Sequence, residues 1–408
     1  MRILLLSFYF PPDVGPGAFR SEAWVEALKA LAPEATIDVL TTQPNRYASL
    51  RQHAPRLEQL GNVRTVRLPL PAHRSGFVDQ SKAFGAYAWQ VMRHLRREPR
   101  YDLVCATSSR LMTAFLAALI ARRQRSRLFL DIRDLFVDTI GDVLPARLSP
   151  LVPLFRAIER FTFRQADHLN LVSGGFADYV RRIRGERPLS VVTNGVDELF
   201  LNVSFASSRP RLDGRRRVLY AGNVGAGQGL HLILPALARR TLDTHEYRVI
   251  GDGGQIGLLR EATAGLPNVR LMPPVSRETL IEEYREADVL FLHLNDLPAF
   301  EKVLPSKLFE YLATGKPVLA GVAGYASAFL SAQPGVRTFR PTALEEAQSG
   351  LAALQEDSYA RDHFIDEHRR SRQMQELARL SLRLLTPAGH GLADDQTAQH
   401  TQVDDGDR

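Results

Sequence analysis

The chain has 408 residues, 45% apolar, 24% charged and 8% aromatic. That suits two to three domains with sizeable cores and excludes a globally disordered polymer. One cysteine, Cys105, excludes an intrachain disulfide framework and Cys-rich zinc or iron–sulfur sites, so a reducing compartment is expected. Lys and Arg number 52 against 45 Asp and Glu, a net of +7. Residues 1–200 hold 28 basic and 19 acidic side chains, a net of +9, while 201–408 hold 24 and 26. The asymmetry points to an anionic partner for the first half: nucleic acid, a membrane surface or a phosphorylated substrate. Only five cations are lysines: Lys29, Lys82, Lys302, Lys307 and Lys316.

In chain order, residues 2–7 (RILLLS) read as a buried strand. A Pro/Gly-rich loop at 8–19 (FYFPPDVGPGAF) leads into a helix over 21–31. Strands are predicted at 36–40, 62–68, 101–106 and 127–132, with short ones at 168–172 and 190–193. Helices are predicted at 80–97, 109–123 and 150–166. The pattern restarts with a strand at 217–221, the loop 222–229 (GNVGAGQG) and a helix at 230–239. Strands at 247–250, 269–271, 289–292 and 318–320 follow, with helices near 277–286 and 305–314. Alternation of this kind predicts an α/β fold of two doubly wound parallel sheets, 1–200 and 201–369, joined near 194–215. Residues 357–385 form an Arg-rich helical pattern, and the aromatic-free tail 387–408 is predicted to be disordered. No apolar run approaches the roughly 18 residues that span a bilayer, and the run at 3–6 is too short for a secretory core, so a cytoplasmic chain is expected.

Each half presents a glycine-rich strand-to-helix loop: Gly15-Pro16-Gly17, and Gly222 through Gly229. Amides at such turns bind anions, although many such glycines serve steric needs alone. Neither loop is a G-x-G-x-x-G or Walker loop, which argues against nicotinamide dinucleotides and ATP hydrolysis. In 301–317 (EKVLPSKLFEYLATGKP), Pro305-Ser306 suits a helix start, and Lys307 and Glu310 share one face. That pair can hold a diphosphate and the hydroxyls attached to it, or form a plain surface ion pair. An ammonium in an arginine-dominated chain favours the former. Asp134, in Asp131-Ile132-Arg133-Asp134, sits where ligands bind in open sheets, or caps its loop. No metal site is expected, because the eleven histidines are scattered. Basic clusters lie at 93–100, 122–127 and 181–187. The helix carrying Trp89, Arg93, Arg96 and Arg97 reads either as an interfacial element on an anionic membrane surface or as core packing. Nucleic acid is not expected, since no recognition module is present.

These residues together resemble the family 4 glycosyltransferases of the GT-B fold, in a version similar to bacterial O-antigen, colanic acid and capsule transferases of the fucosamine transferase type. The motifs that carry the likeness are FYFPPDVGPGAFR at 8–20, ERFTFRQADHLNLVS at 159–173 and TNGVDELF at 193–200. In the second half they are YAGNVGAGQGL at 220–230, IGDGG at 250–254 and PSKLFEYLATGKPVLAGVAGY at 305–325. The resemblance implies two Rossmann-like domains facing a cleft, acceptor on the first and nucleotide-sugar donor on the second, with 370–386 crossing back to the first. It implies a retaining transfer without metal or other cofactor. The donor would be a nucleoside diphosphate sugar, UDP-linked, and the acceptor a lipid-diphosphate-linked glycan, handled peripherally at the inner face of the plasma membrane. Donor binding falls on Gly15, Gly17, Gly222, Asn223, Gln228, Gly251, Lys302, Ser306, Lys307 and Glu310, and catalysis on Asp134, Lys307 and Glu310. Four positions depart from the family pattern. Lys302 replaces the first glutamate of the E-x7-E motif, Asn223 and Gln228 replace the diphosphate-holding Arg and Lys, and Arg133 replaces a histidine. Lys302, Lys307 and the loop amides are expected to compensate for the lost charge. A GT-B nucleotide-sugar 2-epimerase and a non-catalytic nucleotide- or membrane-binding subunit are the alternatives.

Overall fold

The structure, a computed structural model, describes residues 1–13, 15–45, 54–71, 77–108, 111–143, 150–205, 214–354 and 358–386. The tail predicted to be disordered, 387–408, lies outside the described residues. The first domain runs β1 (Arg2–Leu6), α1 (Pro16–Leu31), β2 (Thr36–Thr42), β3 (Leu57–Leu60), β4 (Val63–Leu68) and α2 (Phe77–Leu95). It continues with β5 (Leu103–Thr107), α3 (Leu111–Gln124), β6 (Arg127–Ile132), α4 (Phe136–Val143), α5 (Val152–Gln165), β7 (His168–Leu171), α6 (Ala177–Arg184) and β8 (Leu189–Val191). The second runs β9 (Arg216–Ala221), α7 (Leu230–Arg240), β10 (His245–Ile250), α8 (Ile256–Ala262), β11 (Val269–Met272), α9 (Arg277–Glu286) and β12 (Val289–His293). After it come α10 (Lys307–Ala313), β13 (Val318–Gly321), α11 (Gly324–Ser331), β14 (Val336–Phe339), α12 (Leu344–Ala353), α13 (Asp362–Glu367) and α14 (Arg370–Arg383).

The strands form two sheets, ordered β3-β4-β2-β1-β5-β6-β7-β8 and β11-β10-β9-β12-β13-β14. All pairings are parallel except β3 with β4. The central strands are buried along nearly their whole length, as expected for sheets with helices on both faces. In each sheet the strand order reverses once, between β1 and β5 and between β9 and β12. Such switch points open a crevice at the carboxyl ends of the strands. The glycine loops after β1 and β9 therefore lie at the two crevices.

Helix α1 begins at Pro16, earlier than the predicted 21, because proline at the first helical position fits its fixed φ. The Arg-rich pattern at 357–385 is not one helix but two, α13 and α14, broken at His368-Arg369. At that break the chain crosses the linker. Val196 N–H donates to the His368 carbonyl at 2.6 Å, and Arg370 N–H donates to the Val196 carbonyl at 2.8 Å. Gly195 permits the crossing: its φ is +75°, and a Cβ there would lie 2.9 Å from Arg370 Cα. Beyond it, α14 lies on α1 and buries Met374, Leu377 and Ala378 in a cluster with Trp24, Leu28 and Phe129 of the first domain.

Candidate active site

The second-domain crevice is built from the end of β9 and the start of α10. Lys307 opens α10, and its side chain reaches Gly222, the first residue after β9. A Cβ on Gly222 would lie 2.6 Å from Lys307 Nζ, and its φ is +149°, so only glycine fits. Lys307 Nζ lies 5.9 Å from the Tyr311 ring centroid and makes no hydrogen bond or ion pair among the described residues. Burial pushes its pKa below the usual lysine value, with Glu310 opposing. The expected face of α10 exists, but Lys307 and Glu310 do not pair. Glu310 instead accepts from the Tyr284 hydroxyl at 3.1 Å. The Tyr311 hydroxyl accepts from the Ala221 amide at 3.1 Å. Burial raises both phenols far above their ordinary pKa, so both stay neutral donors. Ser306 sits half-buried at the start of α10.

Around the glycine loop, Asn223 Nδ2 donates to Gln228 Oε1 at 2.8 Å, and the Gly225 amide donates to the same oxygen at 3.2 Å. Where the resemblance implies two cations, this chain has an amide pair that orders the loop without adding charge. His293, fully buried at the end of β12, holds the loop from below. It donates from Nδ1 to the Gln228 carbonyl at 2.6 Å, and its Nε2 accepts from the Thr342 amide at 3.3 Å. Burial lowers its pKa to about 4, so the ring is neutral and can serve both roles. Gly251, after β10, is tied in through the Gly222 amide, which donates to the Ile250 carbonyl at 2.8 Å.

Across the cleft, Gly15 caps α1, and Gly17 lies in its first turn, where backbone N–H groups lack intrahelical partners. Arg133 reaches this loop. Its NH1 donates to the Pro16 carbonyl at 3.2 Å and lies 3.4 Å from the place of a Gly17 Cβ. Sequence reasoning registered Arg133 only as a replaced histidine; its position just past the carboxyl end of β6 was the available signal. Asp134, next to it, is exposed. The carboxylate locked into the fold is Asp131, whose two oxygens accept from buried Arg20 at 2.8 Å each and from Asn170 at 2.8 Å.

Lys302 departs from the expectation of a cation beside the glycine loop. Its Nζ bonds Asp138 on α4 at 2.7 Å, crossing between the domains, and lies 5.8 Å from the Tyr179 ring centroid. Its carbonyl accepts from Ser173 Oγ at 2.6 Å. Trp89 is 62% exposed on α2, with the Arg93 guanidinium 5.4 Å from its ring centroid, and Arg96 and Arg97 are exposed beside them. Trp89 itself stays outside the core, while Tyr87, Val91 and Leu95 of the same helix pack into it. Among the described residues no group of His, Cys, Asp and Glu could hold a metal, and no helix is long and apolar enough to cross a membrane.

Residues 18–195 match the glycosyl transferase 4-like domain, and 215–355 match the glycosyl transferases group 1 domain. The chain is 25% identical over 339 residues to the putative colanic acid biosynthesis glycosyl transferase WcaI of Escherichia coli K12, covering 77% of this chain and 82% of that one. Among solved structures it resembles the lipopolysaccharide outer core galactosyltransferase WaaB, at 15% identity and a TM-score of 0.63, over 93% of this chain and 99% of that one. Anabaena HepE in complex with UDP and glucose is similar at 17% identity and a TM-score of 0.63, with the same coverage. The trehalose-phosphate synthase of Burkholderia xenovorans reaches 0.67 at 14% identity, again over 93% and 99% of the two chains. With both domains matched in order, each over its own parallel sheet, the chain belongs to the family 4 glycosyltransferases of the GT-B fold.

Proposed function

We propose that this glycosyltransferase moves a sugar from a UDP-linked donor to a lipid-diphosphate-linked glycan acceptor in surface polysaccharide biosynthesis, with retention of configuration and without a metal. The observation that carries the reading is the Lys307 ammonium lodged against Gly222 at the second-domain switch point. Negative charge builds on the leaving diphosphate as the glycosidic bond breaks. A fixed, half-buried ammonium stabilises that charge more in the transition state than in the ground state. Gly222, Asn223, Gln228, Gly251 and Ser306 line the donor side, and Glu310, held by Tyr284, takes the donor's ribose hydroxyls. From the first domain, the amides of Gly15 and Gly17 meet the phosphate, and Arg133 supplies charge that the Asn223–Gln228 pair lacks. Asp134 orients the reacting sugar or the acceptor. The names of WcaI and WaaB, and HepE's complex with UDP and glucose, support the class of reaction and donor.

The test combines thermal-shift titration of UDP-, GDP- and ADP-sugars with transfer assays on Lys307→Ala and Lys307→Arg. A UDP-sugar raises the melting temperature of the wild type by mass action. Lys307→Ala lowers kcat by about 10²–10³, the usual loss for one transition-state donor. Because burial lowers the lysine's pKa, activity falls at a pH below the ordinary lysine range. Wild-type transfer by Lys307→Ala sinks the assignment. Isomerisation of the donor sugar without acceptor sinks the transferase reading.

A further inference from the structure

Beside the cleft lies a second cavity, of about 320 Å³, between α4, α5 and α6. Its lining charges are Asp138 from α4, Arg156, Glu159 and Arg160 from α5, and Arg182 from α6, and Lys302 of the second domain closes it. Lys302 and Asp138 neutralise each other. Arg156, Arg160 and Arg182 have no ion-pair or hydrogen-bond partner among the described residues. Glu159 is only 1% exposed; its Oε2 accepts from the Tyr179 hydroxyl at 2.5 Å, and its Oε1 completes no hydrogen bond. Burial, with a smaller push from Asp138, raises the carboxyl pKa to about 7, against the Tyr179 hydroxyl, the Val137 amide and Arg156, which favour the charged form.

We propose that this cavity is a phosphate subsite, separate from the donor site, that takes the phosphate groups of the acceptor. Three guanidinium forks match phosphate oxygens in geometry and charge. A protonated Glu159 leaves the cavity wall uncharged where an ionised one would repel the anion. The volume is at the small end of ligand pockets, roughly 300–1,000 Å³, enough for a phosphorylated headgroup but not for a whole lipid-linked sugar. Because Lys302 comes from the opposite domain, a filled cavity favours the closed arrangement in which Lys302 reaches Asp138. The assignment of the phosphate to the acceptor rests on the proposed function; the subsite itself does not.

Calorimetry on the full chain with inorganic pyrophosphate, with and without saturating UDP, tests the subsite. The expected result is pyrophosphate binding that survives saturating UDP and weakens at least tenfold in Arg156→Ala/Arg160→Ala, with UDP affinity unchanged. Wild-type binding weakens between pH 6 and 8 as Glu159 ionises, and Glu159→Gln lessens that loss. An unchanged melting temperature in the arginine variant shows that folding is intact. Pyrophosphate that UDP displaces one for one, and that the arginine variant binds as before, overturns the subsite while leaving the donor site standing. Arginine-dependent pyrophosphate binding without any UDP binding supports the subsite and overturns the proposed function. In transfer assays with lipid-diphosphate acceptor in vesicles, a tenfold rise in acceptor KM at unchanged kcat assigns the phosphate to the acceptor. An unchanged KM, with pyrophosphate binding lost, overturns that assignment and points to a soluble phosphate.

Discussion

Two residues show how burial, more than sequence type, sets chemical state. Lys307 looks like any helix-start lysine, yet packing against Gly222 lowers its pKa. His293 looks like one of eleven scattered histidines, yet it is the neutral brace under the Asn223–Gln228 loop. Its folded pKa of about 4 lies below the unfolded value of about 6.5, so the unfolded chain binds the extra proton between those values. The stabilisation is therefore complete above pH 6.5 and is lost progressively as pH falls toward 4. For His293 alone the loss is of order 3 kcal/mol, taking about 1.4 kcal/mol per pKa shift of one. His245 and His168, also lowered to about 4 by burial, act in the same direction. Urea midpoints at pH 7 and pH 5 check this: the wild type is weaker at pH 5, and His293→Asn shows a smaller difference between the two. Arg133, standing where the family pattern has a histidine, takes the site beside Gly17.

At the scale of elements, the two domain crossings are one joint. Gly195 and the His368–Arg370 strand segment touch backbone to backbone, with no room for a side chain. Gly195→Ala requires both a positive φ and a displaced Arg370, and it should cost more than about 1 kcal/mol. Equilibrium denaturation measures that cost, and crosslinking across the cleft would show a changed domain distribution. Helix α14 contributes stability to the domain it returns to. Leu377 is fully buried against α1, so Leu377→Ala should lower stability by about 2–5 kcal/mol without changing UDP affinity at a temperature where the variant is folded. The helix itself was legible from its apolar spacing, and so was its Arg-rich outer face. The resemblance implied its return to the first domain, but α1 as its partner was not legible, because amphipathic spacing says that a face is buried and not against what. Elements at 136–143 and 336–339 escaped sequence reading for a different reason. Each is short, and each carries residues such as Gly141 or Arg337 that weaken a periodic signal.

At the scale of the molecule, the positive charge of the first half divides in two. The clusters at 93–100, 122–127 and 181–187 occupy helix ends and the turns that lead into β5, β6 and β8, at the amino-terminal edge of the sheet. A cavity of about 680 Å³ lined by Arg100, Arg122, Arg125 and Arg127 opens on that edge. The cleft opens on the opposite edge, so these clusters, Arg182 apart, lie away from it. Charge beside the cleft comes instead from Arg133, Arg156, Arg160 and Arg182. The outer face of α2, with exposed Lys82, Trp89 and Arg93, and the turn after it, with exposed Arg96 and Arg97, combine an aromatic with cations in the manner of an interfacial helix. We predict that the protein sediments with vesicles rich in anionic lipid, and that Trp89→Ala/Arg93→Ala/Arg96→Ala/Arg97→Ala releases it. Each removed cation should weaken binding by about 1 kcal/mol at low salt, and the difference should shrink at high salt. Binding indifferent to anionic lipid would remove the membrane account of this face and leave the transferase reading intact.

The amino-acid sequence alone determined the two α/β sheets, the glycine loops at their switch points and the placement of Lys307 and Glu310 on one helix face. Those features depend on neighbours within a few residues, through strand alternation, helix periodicity and backbone permissiveness, and such local rules can be read along a chain. Only the tertiary structure decided which charges meet. Lys302 finds Asp138 across 164 positions of sequence, Glu310 finds Tyr284, and Arg133 finds the loop before α1. Electrostatic energy depends on distance through space and on local burial, and neither is written in the order of the residues. The same residues that looked like one basic half are, once folded, a far edge, a helix face and a ring of arginines beside the cleft.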